Sequence, residues 1–241
     1  MTKIAGAPLP IDAVLAELSG CLARRNVAVL VAPPGAGKTT RVPLVLAGEP
    51  WTADRKILVL EPRRLAARAA AERMAKTLGE RAGETVGYRV RFGSKISRAT
   101  RIEVVTEGIF SRQILDDPEL DGVAAVLFDE FHERSLDADM GLALARDAQT
   151  GLREDLRLLV MSATLDGARV AKLLGDAPVV ESEGRAFPVE TRYLSRKSAS
   201  LRRISAAPGR KTKSDPASAR SARPTASATC GSTGARASRP R

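Results

Sequence analysis

Short apolar runs punctuate the first 195 residues: "VAVLVA" (27–32), "KILVLE" (56–61), "RIEVVT" (101–106), "VAAVLF" (123–128) and "LRLLVMSA" (156–163). Between them lie longer stretches with apolar residues at helical spacing, such as "LAARAAAERMAKTL" (65–78) and "DADMGLALARDA" (137–148). Alternation of this kind predicts βαβ units and a mostly parallel sheet with helices on both faces. Near-continuous apolar strands, rather than alternating ones, fit a sheet covered on each side. No internal repeat of fixed period interrupts the pattern.

After Ser195 the pattern stops. Residues 196–241 are mostly Ser, Ala, Arg, Pro, Thr and Gly, with Leu201 and Ile204 as the only large apolar residues. Such a segment cannot bury enough surface to offset its ordering entropy, so it is expected to be a disordered basic tail. Residues 1–195 are expected to form one α/β domain.

Composition narrows the function less than it first suggests. The formal charge is +11, but 12 of the 39 basic residues and one of the 28 acidic residues lie in 196–241, leaving 27 of each sign in 1–195. Any basic groove on the domain must therefore be local. No run of about 18 apolar residues occurs, so no membrane span is expected. "MTKIAGAPLPIDAVLAEL" carries prolines and acids inside its apolar stretch and does not read as a signal peptide. Cys21 and Cys230 are far apart and are read as free thiols of a cytoplasmic, reducing compartment.

Two stretches carry chemistry. "VLVAPPGAGKTTRVPLVL" (29–46) sets a Gly-rich turn between a strand and a helix. Gly35 and Gly37 let backbone N–H groups approach phosphates, and the helix start adds unpaired N–H groups. Lys38 is suited to neutralise β- and γ-phosphates, and Thr39 to place a hydroxyl on Mg²⁺. Pro43 falls near the limit where a missing helical N–H costs little. Ala32 stands where the strict G-x-x-x-x-G-K-[ST] pattern has its first glycine. The second stretch is "AAVLFDEFHERSL" (124–136), where an apolar strand runs into a knot of charge that holds the protein's one histidine. A nucleotide site of this kind needs a second metal anchor at the tip of a neighbouring strand. Asp129 is in place for Mg²⁺, Glu130 for polarising water, and His132 for linking the site to its neighbours. A zinc reading of His132 is weak, since there is no H-E-x-x-H and no nearby cysteine.

Taken in order, "APPGAGKTT", "EPRRLAARAAAERMA", "VTEGIF", "DEFHERSLDADM" and "MSATLD" resemble motifs I, Ia, Ib, II and III of the superfamily 2 DEAH/RHA helicases. "VGYRVRFGSKISRATRI" (86–102) resembles the segment that family carries between Ia and Ib, and "DEFHER" is similar to the box of its bacterial HrpB branch. The resemblance covers roughly residues 10–195 and implies a RecA-like P-loop domain. It implies that Gly35, Ala36, Gly37, Lys38, Thr39 and Thr40 bind ATP, with Arg73 stacking on the adenine. Thr39 and Asp129 would hold Mg²⁺, and Glu130, Asp129, Lys38 and His132 would form the catalytic set. His132, Ser162 and Thr164 would couple nucleotide state to a nucleic-acid groove. Arg63, Arg64, Arg91, Thr106 and Glu107 would lie along the backbone of a single strand, RNA by family resemblance.

The family also uses a second RecA-like domain with a Q-x-x-G-R-x-G-R stretch, and none is found here. The chain reaches "FPVETRYL" (187–194) and turns into the Ser/Ala/Arg tail, as a truncated or frameshifted product would. The expectation is weak nucleotide binding, very slow hydrolysis and no unwinding by this chain alone. Two other readings stay open: a different P-loop NTPase, such as a transport or secretion ATPase, and a non-enzymatic RNA-binding remnant that works through its basic tail.

Overall fold

The structure is a computed structural model that describes residues 7–164 and 167–183. The tail, Cys230, Leu165 and Asp166 of the "MSATLD" stretch and the segment 187–194 lie outside the described residues.

Each apolar run named above forms a strand. The described chain runs α1 (Leu15–Arg25), β1 (Val27–Val31), α2 (Lys38–Leu46), β2 (Lys56–Glu61), α3 (Arg64–Leu78), β3 (Val86–Val90), β4 (Gly93–Lys95), β5 (Ile102–Thr106), α4 (Glu107–Asp116), β6 (Val123–Phe128), α5 (Leu136–Gly151), β7 (Arg157–Ser162), α6 (Gly167–Leu173) and β8 (Val179–Glu181). The strands make one sheet in the order β4-β3-β5-β2-β6-β7-β1-β8. Every pair is parallel except β3–β4, an antiparallel hairpin that closes on the Val90–Gly93 pair. The hairpin requires Gly87, because a Cβ there would collide with the Lys95 carbonyl.

The strands are apolar on both sides because both sides are covered. Ala28 and Leu30 of β1, Val59 of β2 and Leu127 of β6 pack under α1, α2 and α3. Their neighbours Val29, Leu58, Leu60, Val126 and Phe128 pack under α4, α5 and α6. On the first face α3 presents mainly small residues, Ala67, Ala70, Ala71 and Ala75, with Met74. Alanine favours the helix and lets it lie close to the sheet. Gly79, at φ 79°, then ends it in a left-handed cap. On the second face Phe110, Phe128 and Phe131 stack edge to face, with centroids 5.9 and 6.3 Å apart. Ser135 caps α5 by accepting the Ala138 N–H at 2.9 Å, and Asp137 and Asp139 in the first turn complement the helix dipole. Losing that cap would cost about 1 kcal/mol.

Parallel register has one consequence for chemistry. The ladders continue past the last strand residues: Ala32 N–H donates to the Ser162 carbonyl and Asp129 N–H to the Leu60 carbonyl, both at 3.0 Å. The carboxyl-terminal ends of β1, β2, β6 and β7 therefore open side by side on one edge, where ligands bind in open α/β sheets. Among the described residues, no helix is long and apolar enough to cross a membrane.

Candidate active site

Ala32 shows why the departure from the strict glycine pattern is tolerated. It is buried, lacks a positive φ and simply extends the β1–β7 ladder, so its Cβ is accommodated. Glycine is required farther on. Gly35 has φ 80° and Gly37 φ 99°, a region that strains any side chain. A Cβ on Gly37 would also come within 2.6 Å of Leu9 Cδ1, whereas one on Gly35 would project into open space. That open side is a cradle a ligand can approach.

The loop is braced from the N-terminal side. Ile11 N–H donates to the Ala36 carbonyl at 3.2 Å, Asp12 accepts the Leu9 N–H at 2.8 Å, and Arg41 of α2 donates to the Ala7 carbonyl at 2.8 Å. This brace was not legible in "APLPIDA". Pro43 sits inside α2, buried, and the helix runs on to Leu46.

Lys38 and Thr39 open α2 and face the end of β6. The Thr39 hydroxyl donates to Asp129 Oδ2, and Asp129 Oδ1 accepts the Glu130 N–H at 2.8 Å. Lys38 Nζ lies 3.0 Å from Glu130 Oε1. Glu130 Oε2 is 3.4 Å from His132 Nε2, and His132 Nδ1 accepts the Ala163 N–H at 3.3 Å. Ser162 Oγ accepts the Thr164 N–H at 3.2 Å. One polar chain thus runs from the phosphate loop through the charged knot to the end of β7. Glu130 (φ 50°) and Arg134 (φ 54°) both take the left-handed conformation around the short turn Phe131–Glu133. The buried Phe131 pins that turn to the core. Strain of this kind persists only where the surroundings hold it.

The electrostatics are unbalanced toward negative. Burial, reinforced by Glu130, pushes the Asp129 carboxyl up to about 6 although Thr39 and Lys38 pull against it. The neighbouring strand adds Glu61, the acid that opens "EPRR" and to which the sequence pattern assigns no role. Burial first, then Asp129, Glu130 and Glu133, push its carboxyl up to about 8, and Lys38 offsets only part of this. The signal available was an acid closing an otherwise apolar parallel strand.

The donor set fits Mg²⁺. A hydroxyl and a carboxylate, both hard oxygens, already meet at Thr39 and Asp129. No group of three His, Cys, Asp or Glu converges as a cage among the described residues. Mg²⁺ in phosphate sites is held by one or two protein oxygens plus phosphates and water, which matches.

The structure brings Gly35, Ala36, Gly37, Lys38, Thr39, Thr40, Asp129, Glu130, His132, Ser162 and Thr164 to one edge. The remaining candidates spread from it. Arg63 is exposed and pairs with Glu133 at 2.8 Å, tying the end of β2 to the charged knot. Arg64 opens α3, exposed. Arg91 stands exposed at the β3–β4 turn, stacked 4.9 Å over the Phe92 ring. Thr106 stands at the N-cap position of α4 without a side-chain capping bond, and Glu107 Oε2 accepts the Ser135 hydroxyl at 2.6 Å, with its carboxyl raised chiefly by burial. Arg73 is exposed on α3; its carbonyl accepts the Thr77 hydroxyl at 2.9 Å, and its guanidinium makes no hydrogen bond or ion pair among the described residues.

Residues 13–173 match the DEAD/DEAH box helicase family. The chain is 56% identical over 186 residues to the ATP-dependent RNA helicase HrpB of Escherichia coli (strain K12), covering 77% of this chain and 23% of that protein. It is 37% identical over 185 residues to the ATP-dependent RNA helicase HrpA homolog of Haemophilus influenzae, covering 77% of this chain and 14% of that one. The crystal structure of the Escherichia coli DEAH/RHA helicase HrpB superposes with a TM-score of 0.73 at 56% identity, covering 77% of this chain and 24% of the other. The chain therefore spans about a quarter or less of the length of these relatives.

Proposed function

The chain belongs to the DEAD/DEAH box helicase family, and from that premise we propose that its site binds ATP with Mg²⁺ and couples hydrolysis to movement along single-stranded RNA. The observation that carries this reading is the polar chain Lys38–Glu130–His132–Ala163 with the Thr39–Asp129 contact beside it. A transport or secretion ATPase would need the phosphate loop but has no evident use for the arginines at the ends of β2 and β3. That favours the nucleic-acid reading.

Each residue then has work to do. The Gly35–Gly37 turn and the start of α2 turn N–H groups toward phosphate oxygens. Bound Mg²⁺ would supply charge neutralisation between the β- and γ-phosphates, with Thr39 and Asp129 as its protein oxygens. Lys38 is engaged by Glu130; phosphate oxygens compete for the ammonium, and Glu130 is freed to take a proton from the attacking water. His132 fixes the orientation of Glu130 while accepting from the backbone beyond Ser162, so a change at the nucleotide reaches the Ser162–Thr164 turn. Arg63, Arg64, Arg91, Thr106 and Glu107 take the strand backbone, which confers position without sequence preference. Arg73 takes the adenine.

The 241 residues hold no Q-x-x-G-R-x-G-R stretch. An arginine finger contributes about 10³–10⁵ in turnover for related phosphate chemistry. On this reading residues 1–195 supply one ATP-binding RecA-like domain, and hydrolysis by these 241 residues alone is slow. The test is ATP turnover by the purified chain with and without single-stranded RNA, beside Lys38→Ala. Lys38-dependent turnover that RNA accelerates supports the reading. Turnover indifferent to both RNA and Lys38→Ala sinks it.

A further inference from the structure

The mechanism above leaves one buried acid unused. Glu61 closes β2 and is only 4% exposed. The β2–β6 register pairs Leu60 with Phe128, and Asp129 N–H then donates to the Leu60 carbonyl. The next pair along the two strands is Glu61 beside Asp129. Parallel neighbours at one register position share a face of the sheet. Here it is the face of Val59 and Leu127, over which α2 carries Lys38 and Thr39.

The surroundings of Glu61 do not account for it as a structural acid. No hydrogen-bond donor reaches its carboxyl among the described residues. The adjacent Lys38 is already held by Glu130 at 3.0 Å. Arg63, two residues away in sequence, faces outward to Glu133. Glu103, the buried acid of β5, by contrast has two cations of its own, Arg89 at 2.8 Å and Lys56 at 3.8 Å, although Arg89 Nε is not aligned to hydrogen-bond its Oε1. Glu61, Asp129 and Glu130 together set three carboxyls against one ammonium. The residue is buried, yet its carboxyl oxygens are not sealed off, so donors for them can come from water or a polar ligand at the open edge. A divalent cation held by Asp129 and Thr39 would keep bound waters, and their protons would be the donors that the Glu61 carboxyl lacks.

We infer that Glu61 is a positioning residue for the metal: its carboxyl accepts hydrogen bonds from water bound to the Mg²⁺ that Thr39 and Asp129 hold, and so sets metal affinity without touching nucleotide. This rests on the ATP–Mg²⁺ reading of the site. Partners in such an outer shell typically change metal affinity about 10- to 100-fold when removed.

The experiment is a Mn²⁺ titration followed by electron paramagnetic resonance, in the presence of a non-hydrolysable ATP analogue, for wild type, Glu61→Gln and Glu61→Asp. Nucleotide affinity in EDTA and the thermal midpoint without metal are measured alongside. Glu61→Gln is expected to raise the Mn²⁺ half-saturation about tenfold, with affinity in EDTA unchanged and the thermal midpoint no lower. Glu61→Asp keeps the carboxyl and should recover most of the loss. Equal half-saturation in wild type and Glu61→Gln overturns the assignment and leaves the nucleotide site standing. So does an equal loss in Gln and Asp, which would make the role steric. A wild-type chain that binds the analogue with no dependence on Mn²⁺ overturns the metal-site reading itself, and this inference with it.

Discussion

Where the strands begin, arginines and a glutamine tie charge to carbonyls and to opposite charge; where they end, three acids crowd one ammonium. At the amino-terminal edge Arg153 donates to the carbonyls of Glu119, Leu120 and Val123 and pairs with Asp155 at 2.8 Å. Gln149 donates to the carbonyls of Asn26 and Leu156, at 2.9 and 2.5 Å. Arg157 donates to the Leu22 carbonyl and lies 4.3 Å over the Trp51 ring. Arg153 and Arg55 hold the Asp155 carboxyl well below the usual range. At the opposite edge Asp129 and Glu61 are crowded upward and Glu130 sits in a strained backbone. One edge uses charge to close the fold, and the other holds uncompensated charge ready for a ligand.

The contrast can be broken at either end. The largest effect is expected from Lys38→Ala, which should lower turnover by about 10²–10³-fold while leaving the thermal midpoint nearly unchanged. Arg153→Ala should do the reverse. The carbonyls of Glu119, Leu120 and Val123 would lose this donor at once and Asp155 would keep only Arg55, costing about 2–3 kcal/mol, read from denaturant unfolding by the fluorescence of the single Trp51. Nucleotide affinity of the folded fraction should not move. If Arg153→Ala weakens nucleotide binding instead, the two edges are not separable.

A smaller effect separates the edges by pH. Folding raises Glu61 from its ordinary 4.5 to about 8, so between these values the folded chain holds a proton that the unfolded chain has released. The stability this group contributes is complete below pH 4.5 and is lost as pH climbs through 8. Metal-free protein should therefore lose at most about 1 kcal/mol per pH unit between pH 5 and 8, and Glu61→Gln should flatten that decline. An unchanged slope would mean that the carboxyl is not crowded as described.

The sequence was most readable where one physical rule dominated. Five apolar runs became strands at their expected places because parallel strands must be apolar on both faces. Lys38, Asp129 and Glu130 could be brought together on paper because a Gly-rich turn and a strand-end acid each imply the same sheet edge. The hairpin β3–β4 was seen only as a family-like segment. "VGYRV" mixes polar and apolar residues, and its pairing depends on the close approach at Gly87. Strand β8 is three residues long, too short to carry a period. The brace of Ile11 on Ala36, the left-handed Glu130 and the lateral pairing of Glu61 with Asp129 all depend on register or dihedral angle. Neither quantity is written in residue type.

The sole histidine gives the site a private signal. Its Nδ1 is taken by the Ala163 N–H while Nε2 faces Glu130, so a single tautomer, protonated at Nε2, satisfies both neighbours. With no other imidazole in the 241 residues, a ¹⁵N-histidine spectrum would contain one ring-nitrogen pair. That pair would report directly on whether Glu130 has been released from its neighbours, with no assignment step.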